Sequence, residues 1–227
     1  GAPNAGAGAG LDPDVGASEG LDPEVGSAEV ADAEPPWPRP YFLFVGRLEK
    51  IKGLDEVIPL FERYPDADLV IAGDGEYASV LREAAEGNPR VHFLGRVPLE
   101  ELRRYYENAL ALIVPSVCFE TFGIILIEAF SYRTPVIARR LGPFPEIVQS
   151  AGGGELFDTT DELLSCMKRI QSDPEYRRRL SASGHAAFRE RWTESAVIPQ
   201  YLDIVRSAAE ERGRHDLVEA LAHGASS

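Results

Sequence analysis

From Tyr41 onward, short apolar runs, four of the six ending in glycine or proline, alternate with stretches of helical spacing, and this alternation constrains the fold more than any other feature. The runs are YFLFVG (41–46), ADLVIAG (67–73), VHFLG (91–95), ALALIVP (109–115), TPVIAR (134–139) and GGELFD (153–158). A continuous run of large apolar side chains suits a strand buried on both faces, as in parallel sheets. Between the runs, helices are expected over 54–64, 76–86, 99–108, 123–132, 145–150 and 160–172, and 174–222 reads as nearly all helical. Strands regularly separated by helices imply an α/β, doubly wound parallel sheet with right-handed crossovers, followed by C-terminal helices.

The first forty residues differ. GLDPDVGASE (10–19) is followed by GLDPEVGSAE (20–29), an imperfect ten-residue repeat. Eight of the 37 acids and none of the 23 bases fall within residues 1–36. With almost no large apolar side chain to bury, residues 1–40 read as a disordered acidic Gly/Ala/Pro-rich linker, its EPPWPRP end a stiff approach to the body. The expected division is a linker (1–40), a sheet domain (41–210) and a helical, fraying tail (211–227).

The formal net charge is −14, and the bases form no stripe, which argues against a nucleic-acid backbone as partner. The two cysteines, Cys118 and Cys166, lack metal-ligand spacing and are expected as reduced thiols. The longest apolar run is interrupted by Pro115 and is too short to span a bilayer. No charged start precedes an apolar stretch, so a cytoplasmic location is expected. The chain begins with Gly, and we read it as a piece of a longer or processed protein.

In open parallel sheets, ligands bind beyond the carboxyl ends of the strands. This sequence places Gly46-Arg47 after the first strand, Gly95-Arg96-Val97 after the third, and Pro115-Ser116 followed by CFETFGIILIEAF (118–130) after the fourth. The last segment holds Glu120 and Glu128, with seven residues between them. A helix opening at Phe122-Gly123-Ile124 presents unpaired amides and a positive dipole end, a natural phosphate site. Gly123 would let a ligand approach the backbone. Arg47 and Lys52 supply two cations opposite, so a diphosphate there would need no metal. Glu120 and Glu128 are acceptor-only groups suited to hydroxyl-rich rings. Glu128 lies about 8 Å along the helix from position 123. Phosphates between two hydroxyl-reading acids describe a nucleotide-sugar; the plain alternative is a helix cap and a surface glutamate.

The blocks FVGRLEKIKGLDEVI, LVIAGDGEY, VHFLGRVPLEELRRYYENALALIVPS, ETFGIILIEAFSYRTPVIAR and GPFPEIV resemble the C-terminal half of retaining GT-B glycosyltransferases, the GT4 family with its E-x7-E motif in particular. The resemblance runs from about 41 to 206. It implies a Rossmann-like nucleotide-sugar-binding domain whose donor is a UDP- or GDP-type sugar, with no cofactor or metal. Arg47 and Lys52 fall on the family's diphosphate-binding cations, Glu120 on the acid holding the donor sugar, and Glu128 on the acid holding the ribose. Phe122, Gly123 and Ile124 fall on its backbone contacts to sugar and phosphate, and Gly95, Arg96 and Val97 where the base is held. The catalytic set so implied is Glu120, Arg47 and Lys52, acting by electrostatic stabilisation of the leaving diphosphate.

The resemblance also implies a second, N-terminal domain that supplies the acceptor site and any peripheral membrane association. RWTESAVIPQYLDIVRS resembles the helices that return to that domain. The fragment alone is expected to bind donor weakly and to transfer nothing; the alternative is a non-catalytic nucleotide-sugar-binding or regulatory module. Two departures stand out: Arg133 where the family often has glycine, and Arg140-Leu141-Gly142 where a two-glycine turn is common.

Four other features carry bland readings. Gly73-Asp74-Gly75-Glu76-Tyr77-Ala78 satisfies G-x-G-x-x-A, but Arg96 stands where a dinucleotide site wants an acid, so a turn beside the nucleotide is expected. Asp66-Ala67-Asp68 looks like a metal-binding D-x-D yet precedes its strand, and reads as a solvated loop at the wrong end of the sheet. His92 and His185 read as structural, and Tyr105-Tyr106 as packing.

Overall fold

Continuous apolar runs do form the centre of the molecule. The computed structural model describes residues 35–214 and 216. Its strands are β1 (Tyr41–Val45), β2 (Asp68–Ala72), β3 (Val91–Gly95), β4 (Leu112–Val114), β5 (Val136–Arg139) and β6 (Gly154–Phe157). They pair in parallel in the order β3-β2-β1-β4-β5-β6. Side chains alternate between two apolar layers. Phe42 and Phe44 pack with Leu69, Ile71, Ile113 and Ile137 on one face. Tyr41 and Leu43 pack with Val70, Leu112, Val136 and Ala138 on the other.

The first layer is closed by α1 (Leu54–Val57), α2 (Ala78–Ala84) and α6 (Thr160–Ser172), the second by α3 (Leu99–Asn108), α4 (Ile124–Ser131), α5 (Phe144–Ala151) and α7 (Pro174–Arg191). Helix α6 starts at Thr159, whose hydroxyl accepts from the Glu162 amide, and α7 starts at Asp173, whose carboxylate accepts from the Tyr176 amide. Helix α8 (Glu194–Glu211) follows. No described helix is long and apolar enough to cross a membrane, and both cysteines are free.

The stretch 54–64 departs from the expected single helix. After α1 it tightens into a 3-10 turn over Ile58–Glu62. Pro59 has no amide to donate, so the bond that would continue α1 past Ile58 cannot form there.

The strand order sets the ligand site. From β1 the chain winds outward through β2 and β3, then crosses back to lay β4 on the other side of β1. Loops leaving β1 and β4 therefore diverge, opening a crevice between them at the carboxyl edge.

At the opposite edge, two expectations need correction. Asp68 is buried rather than solvated. Its carboxylate accepts from Trp37 Nε1 (3.0 Å), Arg39 Nε (3.2 Å) and Arg90 Nη1 (2.9 Å), and His92 Nε2 lies 3.3 Å away. Trp37 also packs on the His92 ring at 4.5 Å. Residues 37–40, read as the end of a linker, are thus fastened to the sheet, with the Asp68 amide donating to the Pro40 carbonyl. A buried carboxylate must be paired, and its partners come from outside the D-A-D motif. The rest of the expected linker, residues 1–34, and the tail from 217 lie outside the described residues.

Arg133 has φ 61°, the left-handed region, and is the non-glycine residue with positive φ among those described. It follows the last turn of α4, where glycine is the usual residue. The glycine position noted in the sequence is thus a true left-handed site that this chain fills with arginine.

Candidate functional site

Three loops at the carboxyl edge interlock through their backbones. The Gly46 amide donates to Ala72 O (3.1 Å), Leu48 to Asp74 O (2.9 Å), and Gly73 to Gly95 O (2.7 Å). A Cβ on Gly73 would stand 1.9 Å from Gly46 O, and one on Gly75 2.4 Å from Leu48 O. The G-x-G pair is therefore a close-packed turn between loops. Beside it opens a cleft of about 620 Å³ lined by residues including Arg47, Glu49, Asp74, Arg96 and Val97.

Across the crevice the two diverging loops are joined by an ion pair. Lys52, from the 3-10 turn Lys50–Lys52 after β1, donates from Nζ to Glu120 Oε1 at 2.6 Å. The side chains are 20% and 26% exposed, so the pair is sheltered yet reachable. Ser116, buried just after β4, donates its hydroxyl to the same oxygen at 3.0 Å. Both donors use Oε1, which leaves Oε2 without a hydrogen bond from any described residue. Burial pushes the Glu120 carboxyl up, but hydrogen bonds from Lys52 and Ser116 and the charges of Lys52 and Arg47 hold it below the usual carboxylate range. Arg47 itself is exposed and pairs with Glu49 at 2.8 Å.

Gly123 precedes α4 with φ 77°, and no side chain caps the helix. The Phe122, Gly123 and Ile124 amides have no backbone acceptor among the described residues. A Cβ on Gly123 would press on Ile147 and Phe144 at 3.1 Å. Packing against α5 and the left-handed turn thus demand this glycine, whatever approaches the amides. Phe119, Phe122 and Ile124 are exposed around the helix mouth.

The structure joins Lys52 to Glu120, with the Arg47 charge acting on the same carboxylate, and sets Arg47, Arg96 and Val97 on one cleft, with Gly95 at the end of β3. Glu128 stands apart, deeper along α4 and half-buried. Burial raises its carboxyl above the usual range, and the Tyr106 hydroxyl beside it opposes that rise.

Three supporting roles escaped the sequence. Ser116, already placed at this edge, carries no motif that marks its bond to Glu120. Tyr106 reads as packing, which it does, and it is also the group whose hydroxyl opposes the rise at Glu128. Arg139, at the end of β5, donates to Pro115 O (3.1 Å) and to Glu56 (2.5 Å), bracing the loop that carries Ser116. Arg140-Leu141-Gly142, which stands where a two-glycine turn is common in the family, lies against the same segment: a Cβ on Gly142 would be 3.6 Å from the Glu120 amide nitrogen.

A model of the family described as glycosyl transferases group 1 matches residues 29–186. D-inositol 3-phosphate glycosyltransferase of Corynebacterium urealyticum is 35% identical over 182 residues, covering 72% of this chain and 42% of the relative. The C-terminal domain of a group 1 family glycosyl transferase from Francisella tularensis superposes with a TM-score of 0.57 at 22% identity, over 69% of this chain and 89% of that one. Anabaena HepE, solved in complex with UDP-glucose, superposes with a TM-score of 0.68 at 22% identity, over 75% of this chain and 49% of that one. The chain spans about half the length, or less, of the curated relatives it matches.

Proposed function

The chain belongs to the glycosyl transferases group 1 family and has the fold of its GT-B C-terminal domain, and from that premise we propose that it binds a nucleotide-diphospho-sugar and serves sugar transfer with retention of configuration. The observation that carries this reading is the Lys52–Glu120 pair, 2.6 Å across the crevice where the sheet reverses its strand order. HepE is a UDP-glucose-binding protein of the same fold, and a UDP- or GDP-type donor fits the features described for this crevice.

In this reading the diphosphate lies between the free amides of Phe122, Gly123 and Ile124 and the cations Arg47 and Lys52. These groups meet its charge in place of a metal ion. As the bond to the sugar breaks, negative charge grows on the leaving phosphate, and fixed donors already aimed there lower the barrier. Glu120 offers Oε2 to the sugar hydroxyls while Ser116 and Lys52 hold Oε1. The base rests along Gly95, Arg96 and Val97, and Glu128 faces the ribose. Both cations are internally paired, Arg47 with Glu49 and Lys52 with Glu120. Donor binding therefore shares or exchanges these partners, which lowers affinity relative to free cations.

The acceptor side belongs, on this reading, to a further domain. Helix α8 exposes Val197, Ile198, Tyr201 and Ile204, an apolar stripe at helical spacing. Such a stripe is where that domain would pack, and without it the described domain binds donor but does not transfer.

Titration calorimetry with UDP, GDP and ADP tests the site. Saturable binding by at least one is expected; no binding at millimolar concentration by any would remove the reading. Lys52→Ala should weaken the diphosphate and leave the bare nucleoside nearly unaffected.

A further inference from the structure

Arg139 ends β5 at the carboxyl edge, and its side chain is mostly buried. Its guanidinium joins three segments of the chain. Nε donates to Pro115 O at 3.1 Å, Nη2 to Glu56 Oε2 at 2.5 Å, and Nη1 to Asp158 O at 3.4 Å. The guanidinium carbon also lies 5.1 Å from the centre of the Phe157 ring. Two of these partners flank the Lys52–Glu120 pair in the chain. Glu56 lies in α1, four residues beyond Lys52, and Pro115 follows β4, five residues before Glu120.

The same two segments also touch directly. The Val117 amide donates to Ile51 O at 2.9 Å, and a Cβ on Gly53 would stand 2.3 Å from Pro115 O. A single backbone bond and a glycine contact let two loops shift against each other. A planar, pre-organised fork with donors to both loops removes that freedom. The 2.6 Å bond between Lys52 and Glu120 tolerates little such displacement.

We propose that Arg139 is a positioning residue for the donor crevice: by bridging Pro115 and Glu56, it fixes the spacing between the loop that carries Lys52 and the loop that carries Glu120. The proposal rests on the reading that this pair serves a nucleotide-diphospho-sugar. Arg139 hydrogen-bonds to neither member of the pair, so it acts through the loops that bear them.

Titration calorimetry on the full chain tests this, comparing UDP and GDP with uridine and guanosine well below each variant's melting temperature. Lys52→Ala is the reference and should lose about tenfold in diphosphate affinity. Arg139→Met keeps an unbranched stem but no fork. It should lose about three- to tenfold for the diphosphate and leave the nucleoside unchanged. Arg139→Lys keeps the charge without the fork and should bind as weakly as Arg139→Met. Glu56→Gln weakens one arm of the fork and should show a smaller loss of the same kind. Added to Lys52→Ala, neither Arg139→Met nor Glu56→Gln should lower diphosphate affinity further, because the cation they position is gone.

Additive losses in the double variants, or full diphosphate affinity in Arg139→Lys, would overturn the positioning role. Normal affinity in both Arg139→Met and Glu56→Gln, with Lys52→Ala weakened, would overturn it too and leave the donor reading standing. Normal diphosphate affinity in Lys52→Ala would remove the donor reading and the proposal together. If Arg139→Met does not fold, Glu56→Gln and its double variant decide between these outcomes.

Discussion

The two ends of the sheet carry similar chemistry to different effect. At the amino edge, Asp68 is 3% exposed, and Trp37, Arg39, Arg90 and His92 converge on both of its oxygens. At the carboxyl edge, Glu120 is 26% exposed, and its two donors share Oε1. For both, burial raises the carboxyl and hydrogen-bonded partners more than reverse the rise. What separates them is valence. The Asp68 set is closed, and its function is to tie Trp37 and Arg39 to β2. The Glu120 set keeps an acceptor unused beside a helix mouth with unused donors. A perturbed carboxyl alone does not mark a site; an open hydrogen-bond set in a crevice does.

The largest effect that can break this comparison is loss of the closed set. Asp68→Ala leaves Arg39 and Arg90 without their shared partner and should cost about 3–5 kcal/mol in urea unfolding. Nucleotide affinity measured on the folded fraction should not change. The pH dependence follows from the sign of the shift. Because the folded Asp68 carboxyl lies below its ordinary value, its stabilisation is present above the ordinary carboxylate range and is lost as pH falls through the depressed value. The variant should therefore lose less stability on acidification than the wild type. Equal acid sensitivity would show that the Asp68 set does not hold the fold.

The open set should respond in the reverse sense. Lys52→Ala should weaken UDP or GDP by about tenfold or more, since a charge-assisted bond contributes roughly 1.5–3 kcal/mol. Its unfolding free energy should stay within about 1 kcal/mol of wild type, because the pair is partly exposed. A variant that unfolds readily but binds normally would make Lys52–Glu120 a second structural lock.

Much of this contrast was legible in the sequence, and the reasons are local. Central strands buried on both faces announce themselves as unbroken apolar runs, whereas the half-buried edge strands β3 and β6 were visible by their place in the alternation with helices. Glu120 was visible because it sits between an apolar strand and a helix opening on glycine. Lys52 was visible by its place after β1, but not its bond to a residue 68 positions away. Asp68 was misread because D-A-D before a strand resembles a solvated turn. Its burial depends on Arg39 and Trp37 from a segment that looked like linker, and on Arg90 from the next strand. Ser116 was visible at this edge but not its bond to Glu120, and Arg139 was not visible there, for the same reason: their partners are set by topology rather than spacing.

Acid should sharpen the contrast between the two glutamates by a smaller factor. Glu128 protonates above the ordinary carboxylate range and Glu120 below it. On lowering pH, a ribonucleotide should first lose a few-fold in affinity as Glu128 protonates, while its 2′-deoxy counterpart loses less. Only at lower pH should the Glu120 set fail. Calorimetry across this range should resolve the two steps, and a single shared step would contradict the separate environments described for them.

The smallest expected effect lies at the other end of α4. Arg133 holds φ 61°, where a side chain costs about 1–2 kcal/mol relative to a right-handed conformation. Arg133→Gly removes that strain but adds freedom to the unfolded chain, at about 0.5–1 kcal/mol. The backbone should keep its place, because the Arg133 amide donates to Phe130 O at 3.1 Å and its carbonyl accepts from the Ser181 hydroxyl at 2.6 Å. The variant should therefore gain about 0.5–1 kcal/mol in thermal unfolding. Since α4 begins at the open set and ends here, the same variant also reports on coupling. Unchanged nucleotide affinity would confine the strain to the helix end. A changed affinity would mean that the left-handed arginine sets the pitch of α4, and with it the aim of the amides at Phe122, Gly123 and Ile124.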